Sequence, residues 1–461
     1  MKRAIPFVIA LAAAAIFTFR ATYDPDLFYH LAHGAHDVHA GLVRANIFNP
    51  AFAAYPQTYT TWAFDVVLAG LERPFSLLGV QLFQWGCLAE AFVLLYASAR
   101  TKASRAASLA VLLLALFVIE PRAMPRPYLV SFVGFGFCSW YLNTAPARTN
   151  AWLLAAVFAI WSNFHSESVF GLAVVFLLLW LNRSPWPSMV KILIACGLAT
   201  LVTPYGWGLW RYLYENAAVP SVLRIAELEP PTPETYPAFF AFLAVLVLAL
   251  ASLPRRVKAA EVAIAVVFGA LGLRYIRFTP MLVFAAAPML ADRIQVWIDR
   301  GWDRRAVLAT AAAIVIATLP ASPRRMIAAW RTGNAALAPP EYFSEDAIAF
   351  IRANGITSPM FNSMNLGGFL DWKLGGQTFA DSRLQAVPPE FLVALTDASA
   401  DAEKWRALVK NVNWAVVSLA KPNDISGVGK FNAPDWFPVF QDRAVAIFAR
   451  RNAETLKPIS R

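Results

Sequence analysis

Eleven apolar runs, most of them joined by short polar segments, occupy about half of the first 320 residues of this chain. They lie at 5–19, 76–98, 107–119, 128–142, 151–162, 168–182, 188–203, 238–252, 262–273, 279–291 and 306–319. A perpendicular crossing of a bilayer takes about 20 helical residues, so several runs are short for that task. Their number still decides the class. Of 461 residues, 58% are hydrophobic and 15% charged, against about 25% charged in soluble domains. A single core cannot bury so much apolar surface, and lipid is the solvent that remains. The expected fold is mainly α: a polytopic transmembrane helical bundle of about 11 helices over 1–321, followed by a soluble α/β domain over 322–461.

Charge sets the orientation. With the N-terminus in the cytoplasm, the inner segments hold Lys2, Arg3, Arg100, Lys102, Arg105, Arg148, Arg183, Lys191, Arg255, Arg256, Lys258, Arg293, Arg300, Arg304 and Arg305. The outer segments before 320 hold fewer: Arg44, Arg73, Arg122, Arg126, Arg211, Arg224, Arg274 and Arg277, with Arg20 at the border. That bias is the positive-inside pattern, and an odd number of spans then puts the C-terminal domain outside, which in a bacterium is the periplasmic face of the inner membrane. The net charge of +11 is read as part of this pattern. No nucleic-acid module is visible. A signal peptide would begin much as Met1 to Phe19 does, but a retained first helix is expected because more spans follow. Cys87, Cys138 and Cys196 lie in apolar runs with no disulfide or zinc spacing, and read as small buried hydrophobes.

Three outer segments are long: 21–75, 204–237 and 322–461. In the last, Ser344 followed by Glu345 and Asp346 opens a capped helix to Ala353. Trp414 to Leu419 and Ala444 to Ala449 read as strands, and Gly367-Gly368 and Gly375-Gly376 as turns.

Polar groups at membrane depth are costly and mark function. Here they gather at the outer helix ends: Asp24, Asp26, His30, Arg122, Arg126, Asn163, His165, Glu167, Glu227, Glu229, Arg274 and Arg277. Asp24-Pro25-Asp26 follows the first helix. Its two carboxylates can share a divalent cation, or one can act as general base while the other orients it; a solvated helix cap uses the same residues. Arg274 with Arg277, and Arg122 with Arg126, have the guanidinium forks that suit phosphate, or snorkel to headgroups. Trp161 to Glu167 interrupts two apolar runs, and His165 beside Glu167 can relay a proton or bind a hydroxylated substrate; an interfacial turn is the plain alternative. His30, His33, His36 and His39 recur every three residues, which spreads them around half of a helix. They suit an amphipathic surface helix, with Leu27, Phe28, Leu31 and Val38 on its apolar side, better than a zinc site.

Taken in order, these segments resemble the GT-C superfamily of polytopic membrane glycosyltransferases, in particular a bacterial group of glycosyltransferase-like membrane proteins. The resemblance rests on Asp24 to Leu31, on Arg126 to Phe132 for an R-P-x-L-x-S-F element, and on Trp161 to His165 for a W-x-N-x-H turn. It continues through Thr203-Pro204-Tyr205-Gly206, where Thr203 replaces Asn, and Glu227, where Leu228 replaces Trp. Arg274 to Pro280, Asn365 to Trp372 and Asp381-Ser382-Arg383 complete it. One departure stands out: Thr60-Thr61-Trp62-Ala63 occupies the place of the family's H-E-W-L.

The resemblance implies transfer of a sugar, with inversion, from a polyprenyl-phosphate donor to a lipid, glycan or protein acceptor. It casts Asp24 as base and Asp26 as its orienter or a cation ligand. Arg274 and Arg277 would hold the leaving phosphate. His165, Asn163 and Glu227 would line the sugar pocket, with His30, Arg126 and Glu167 also on the substrate side. A transporter of a lipid-linked glycan would place charges deeper in the bilayer and show inverted repeats; an inactive assembly factor would fit the change at Thr60-Thr61.

Overall fold

The computed structural model describes all residues except 1–3, 21–22, 145, 218–225, 253–256, 319–336, 358, 421–427, 432 and 452–461. Lys2, Arg3, Arg224, Arg255 and Arg256 of the charge pattern lie outside the described residues, as does the expected boundary at 321/322. The chain divides into two compact units. One comprises Met1–Arg20, Gln81–Trp210 and Arg224–Gly333; the other comprises Ala21–Val80, Arg211–Leu223 and Asn334–Arg461.

Every apolar run forms a helix. These are α1 (Ile5–Thr18), α3 (Trp62–Arg100), α4 (Arg105–Ile119), α5 (Tyr128–Thr144), α6 (Ala151–Phe164), α7 (Ser168–Leu181), α8 (Trp186–Ala199), α10 (Pro237–Ala251), α11 (Ala259–Arg274), α12 (Thr279–Asp299) and α13 (Arg304–Ala317). Two further helices, α2 (Asp26–Ala40) and α9 (Gly208–Ala217), lie in the expected outer segments. Among the described residues, two helices are long and apolar enough to cross a membrane by length and composition: Trp62–Arg100, and Ile276–Asp299, which includes the turn before α12. The run expected from residue 76 belongs to a helix that begins at Trp62 and breaks at Ser76, where φ is 52° two residues after Pro74. Proline removes a backbone donor and crowds the preceding turn, which accounts for a break at this point.

In the first unit α6 packs on α8, α4 on α13 and α12, α5 on α7, and α11 on α12. Every residue of α12 from Thr279 to Ala291 is buried, as a helix apolar on all sides requires. On the outward faces the pattern inverts: Trp152 is 73% exposed and Ile316 71%, with Ile160, Leu198, Val202 and Leu248 also exposed. Large apolar side chains facing out at this density are what a bilayer as solvent dictates.

The second unit joins the first expected outer segment to the tail. Its helices are α2, the first part of α3, α14 (Glu345–Ala353), α15 (Met364–Leu374), α16 (Pro389–Ala400) and α17 (Ala402–Leu408). Its strands β1 (Met360–Asn362), β2 (Trp414–Ser418), β3 (Trp436–Gln441) and β4 (Val445–Arg450) form a sheet in the order β1-β2-β4-β3. β1 runs parallel to β2, and β4 is antiparallel to both its neighbours. Phe361, Trp405, Phe431, Trp436 and Phe448 fill its core. Ser344 caps α14 by accepting from Ala347 N at 2.8 Å, as its sequence predicts. Asn46 and Asn49 donate to Ala386 O at 2.7 Å and Phe379 O at 2.6 Å, stitching the loop after α2 to the tail.

Two expectations need correction. Gly367-Gly368 is no turn but lies inside α15. Each glycine there costs about 1 kcal/mol against alanine, and the reason for both is close approach: a Cβ on Gly367 would stand 2.3 Å from Ala380 O. Gly375, with φ 75°, does end that helix in the left-handed conformation. The expected apolar side of α2 differs too: Leu27, Phe28 and Leu31 are buried together with His30 and His33, while Val38 is exposed. The reason is that α15 packs against α2.

Candidate active site

A 3-10 turn, Glu120–Arg122, ends α4 and buries both charges; Glu120 is paired with Arg20. Arg122 Nη1 lies 2.9 Å from Glu227 Oε1, and Arg126 Nη1 lies 2.8 Å from the same oxygen. The Arg122 guanidinium also stands 4.0 Å over the ring of Tyr128. Burial alone would raise the Glu227 carboxyl, but Arg122, then Arg126 and Arg277, hold it down to about 2. Glu227 is therefore a carboxylate at any physiological pH.

The turn between α6 and α7 supplies the next groups. Asn163 donates to Ala159 O and Val202 O, each at 2.7 Å. Trp161 is seated by two glycines: a Cβ on Gly134 or on Gly171 would stand 2.7 Å from its ring. Its Nε1 donates to Ser131 Oγ at 2.9 Å, and Ser131 Oγ lies 2.8 Å from His165 Nδ1. Glu167 sits between His165 Nδ1 at 3.5 Å and Arg277 Nη2 at 3.6 Å. Burial would raise the Glu167 carboxyl; His165, then Arg277 and Arg122, lower it on balance.

Three arginines and two glutamates thus share one neighbourhood, and these five groups carry a formal sum of +1. Arg122 Nε, Arg277 Nε and Glu167 Oε1 are buried without hydrogen-bond partners among the described residues. Unused guanidinium donors in a net-positive, half-buried cluster suit an anion such as phosphate. Arg274, by contrast, is exposed, and its described contact is the ring of Tyr275 at 4.7 Å. Glu229 contributes its backbone, its carbonyl accepting from Ile276 N at 3.1 Å.

The second unit holds the remaining candidates. Asp24 is 1% exposed, and its Oδ1 accepts from Asp26 N at 3.1 Å. It caps α2, but as a buried group and not a solvated one. His30 Nδ1 lies 2.7 Å from Asp65 Oδ1. Deeper in the unit, Arg383 embraces both oxygens of Asp381, donates to His33 Nε2, and lies 4.9 Å over Phe48. His33 stacks on Tyr59 with ring centroids 4.0 Å apart. Thr378 donates to Asp371 Oδ1 at 2.8 Å; burial, then Asp381, pushes the Asp371 carboxyl well up.

Sequence reasoning passed over Asp65, although a single carboxylate in the run Trp62 to Leu71 was a usable signal. Ser131 lay inside a quoted motif without a role. Among the described residues no three His, Cys, Asp or Glu side chains are arranged to hold a metal ion.

No family model and no curated protein matches the chain. Solved structures do. The oligosaccharyltransferase AglB of Archaeoglobus fulgidus, in complex with an inhibitory peptide and a dolichol-phosphate, superposes with a TM-score of 0.58 at 11% identity, over 90% of this chain and 69% of that one. The Archaeoglobus fulgidus oligosaccharyltransferase tethered to an acceptor peptide containing the NVT sequon gives 0.58 at 12% identity over the same shares. ArnT from Cupriavidus metallidurans in the apo state gives 0.55 at 13%, over 97% of this chain and 98% of that one. These are GT-C membrane glycosyltransferases, and this chain has their fold.

Proposed function

We propose that the chain is a GT-C-type transferase that moves a sugar from a polyprenyl-phosphate donor to a lipid, glycan or protein hydroxyl or amide acceptor. One observation carries the reading: a GT-C fold holds a half-buried, net-positive cluster in which Arg122 Nε and Arg277 Nε are buried and lack acceptors among the described residues. In support, one structural neighbour is in complex with a dolichol-phosphate.

In this mechanism Asp24 removes the acceptor proton, and the freed electron pair attacks the anomeric carbon. The bond from that carbon to the phosphate oxygen breaks, and the phosphate leaves with the electron pair and inverts the centre. Arg277, helped by Arg122, binds the phosphate and meets its growing charge. Glu167 orients Arg277, and His165, fixed by Ser131, offers a hydrogen bond to a sugar hydroxyl. Asp24 and Asp26 are the carboxylates that would hold a divalent cation, which would supply positive charge toward the leaving phosphate. Eleven spans, an inner-membrane location, a cytoplasmic N-terminus and a periplasmic tail belong to the same proposal; the phosphate cluster would then lie at the outer rim.

Mass spectrometry of the glycolipids and glycans of a deletion strain and its parent tests it. One sugar-bearing product should vanish from the deletion strain while a polyprenyl-phosphate-linked sugar accumulates. Identical profiles, donor included, would remove the basis for a transferase.

A further inference from the structure

On the reading that Asp24 is the base, we infer that α15 is a positioning element for the Asp24-Pro25-Asp26 turn, and that Gly368 sets how closely it presses. A Cβ added to Gly368 would stand 2.9 Å from Tyr29 N and 3.0 Å from Pro25 O. In a helix that starts at Asp26, those are the donor and acceptor of the first i to i−4 hydrogen bond. The backbone of α15 therefore lies directly on the first turn of α2, the turn whose leading amide Asp24 caps. Only a residue without a side chain permits that approach.

Aromatic contacts hold the acidic turn on both flanks. Before it, Tyr23 lies 4.4 Å from Tyr342 and is stacked on Phe343 at 5.7 Å. After it, Phe28 meets Phe343 at 4.6 Å, Phe369 at 5.2 Å and Trp372 at 5.3 Å. Such pairs have preferred geometries and resist sliding. Behind α15, a Cβ on Gly367 would meet Ala380 O and Asp381 Cα within 2.6 Å, so the helix cannot retreat when pushed from the other side. Asp24 is thus gripped by residues more than three hundred positions away in sequence. A general base must sit within hydrogen-bond reach of its proton, and a misplacement of 1 Å costs about a hundredfold in rate. Gly368 and Trp372 act on Asp24 and not on substrate.

Hydrogen exchange on the purified full-length protein in detergent tests the contact itself, with glycoconjugate yield in a complemented deletion strain as the second readout. Gly368→Ala and Trp372→Leu should each speed exchange of the amides of residues 26–31 about tenfold and cut yield about tenfold or more, with exchange in the sheet strands unchanged. Gly429→Ala is the control, because a Cβ there meets nothing within 4 Å. Wild-type exchange at 26–31 in both variants would overturn the inference, as would faster exchange with full yield. Trp372→Leu decides the matter if Gly368→Ala fails to fold. Faster exchange and lost yield, alongside an Asp24→Asn variant of full activity, would keep the positioning contact and discard Asp24 as base.

Discussion

Arg383 donates a hydrogen bond to Nε2 of His33, joining side chains 350 positions apart. The imidazole must accept there, because guanidinium has only donors. Arg383 also satisfies Asp381, so one fully buried side chain ties the helix after the first apolar run to the tail of the chain. Burial would lower the Arg383 guanidinium, but Asp381 and Asp371 raise it on balance, and it stays charged.

Removing it should be severe. Arg383→Ala leaves Asp381 and His33 buried without their partner, a loss of about 3–5 kcal/mol. Thermal unfolding and limited proteolysis should both show a loosened tail, and Arg383→Lys should not restore it, since lysine lacks the fork. A melting temperature within error of wild type would contradict the assignment.

His33 gives the second unit a pH dependence. Burial, then the charges of Arg383, His30 and His36, lowers its pKa well below the ordinary 6.5. The unfolded chain therefore binds the proton first. The neutral imidazole's contribution is complete above about 6.5 and is lost as pH falls below it, by up to about 1.4 kcal/mol per unit from this one group. The raised Asp371 carboxyl works in the opposite direction, so the difference is the readout: between pH 7 and pH 5 the wild type should lose more melting temperature, or gain less, than His33→Gln, which keeps an acceptor for Arg383 but does not titrate. An equal slope in the variant would rule His33 out as its source.

Much of this was legible in the chain itself. All eleven apolar runs became helices, because hydrophobic length is local information and survives any tertiary arrangement. Ser344 as a cap and the strands near 414 and 444 were legible for the same reason. The double glycine at 367–368 was not, because a glycine serving close approach looks like a glycine serving a turn until its neighbour is known. Within the candidate site, Arg126, His165, Glu167, Glu227 and Arg277 were picked out by polarity at helix ends, and contacts join them. Arg274 carried the same signal and stands apart. The Arg383 network could not be read, since it depends on which distant segments meet.

Substrate binding separates the arginines. Arg277→Ala should raise the KM for the polyprenyl-phosphate donor about tenfold or more, consistent with losing a charge-assisted hydrogen bond worth about 1.5–3 kcal/mol. Arg274→Ala should change it little, given its exposure. Equal effects of the two substitutions would show that the half-buried cluster is not what binds the phosphate.

The most direct measurement concerns Asp24. A deletion strain carrying Asp24→Asn should insert the protein at wild-type level, accumulate the polyprenyl-phosphate-linked sugar, and lack the glycosylated product, as quantified by mass spectrometry beside a wild-type complement. Full restoration of that product by Asp24→Asn would contradict a base at this position and the transfer mechanism built on it.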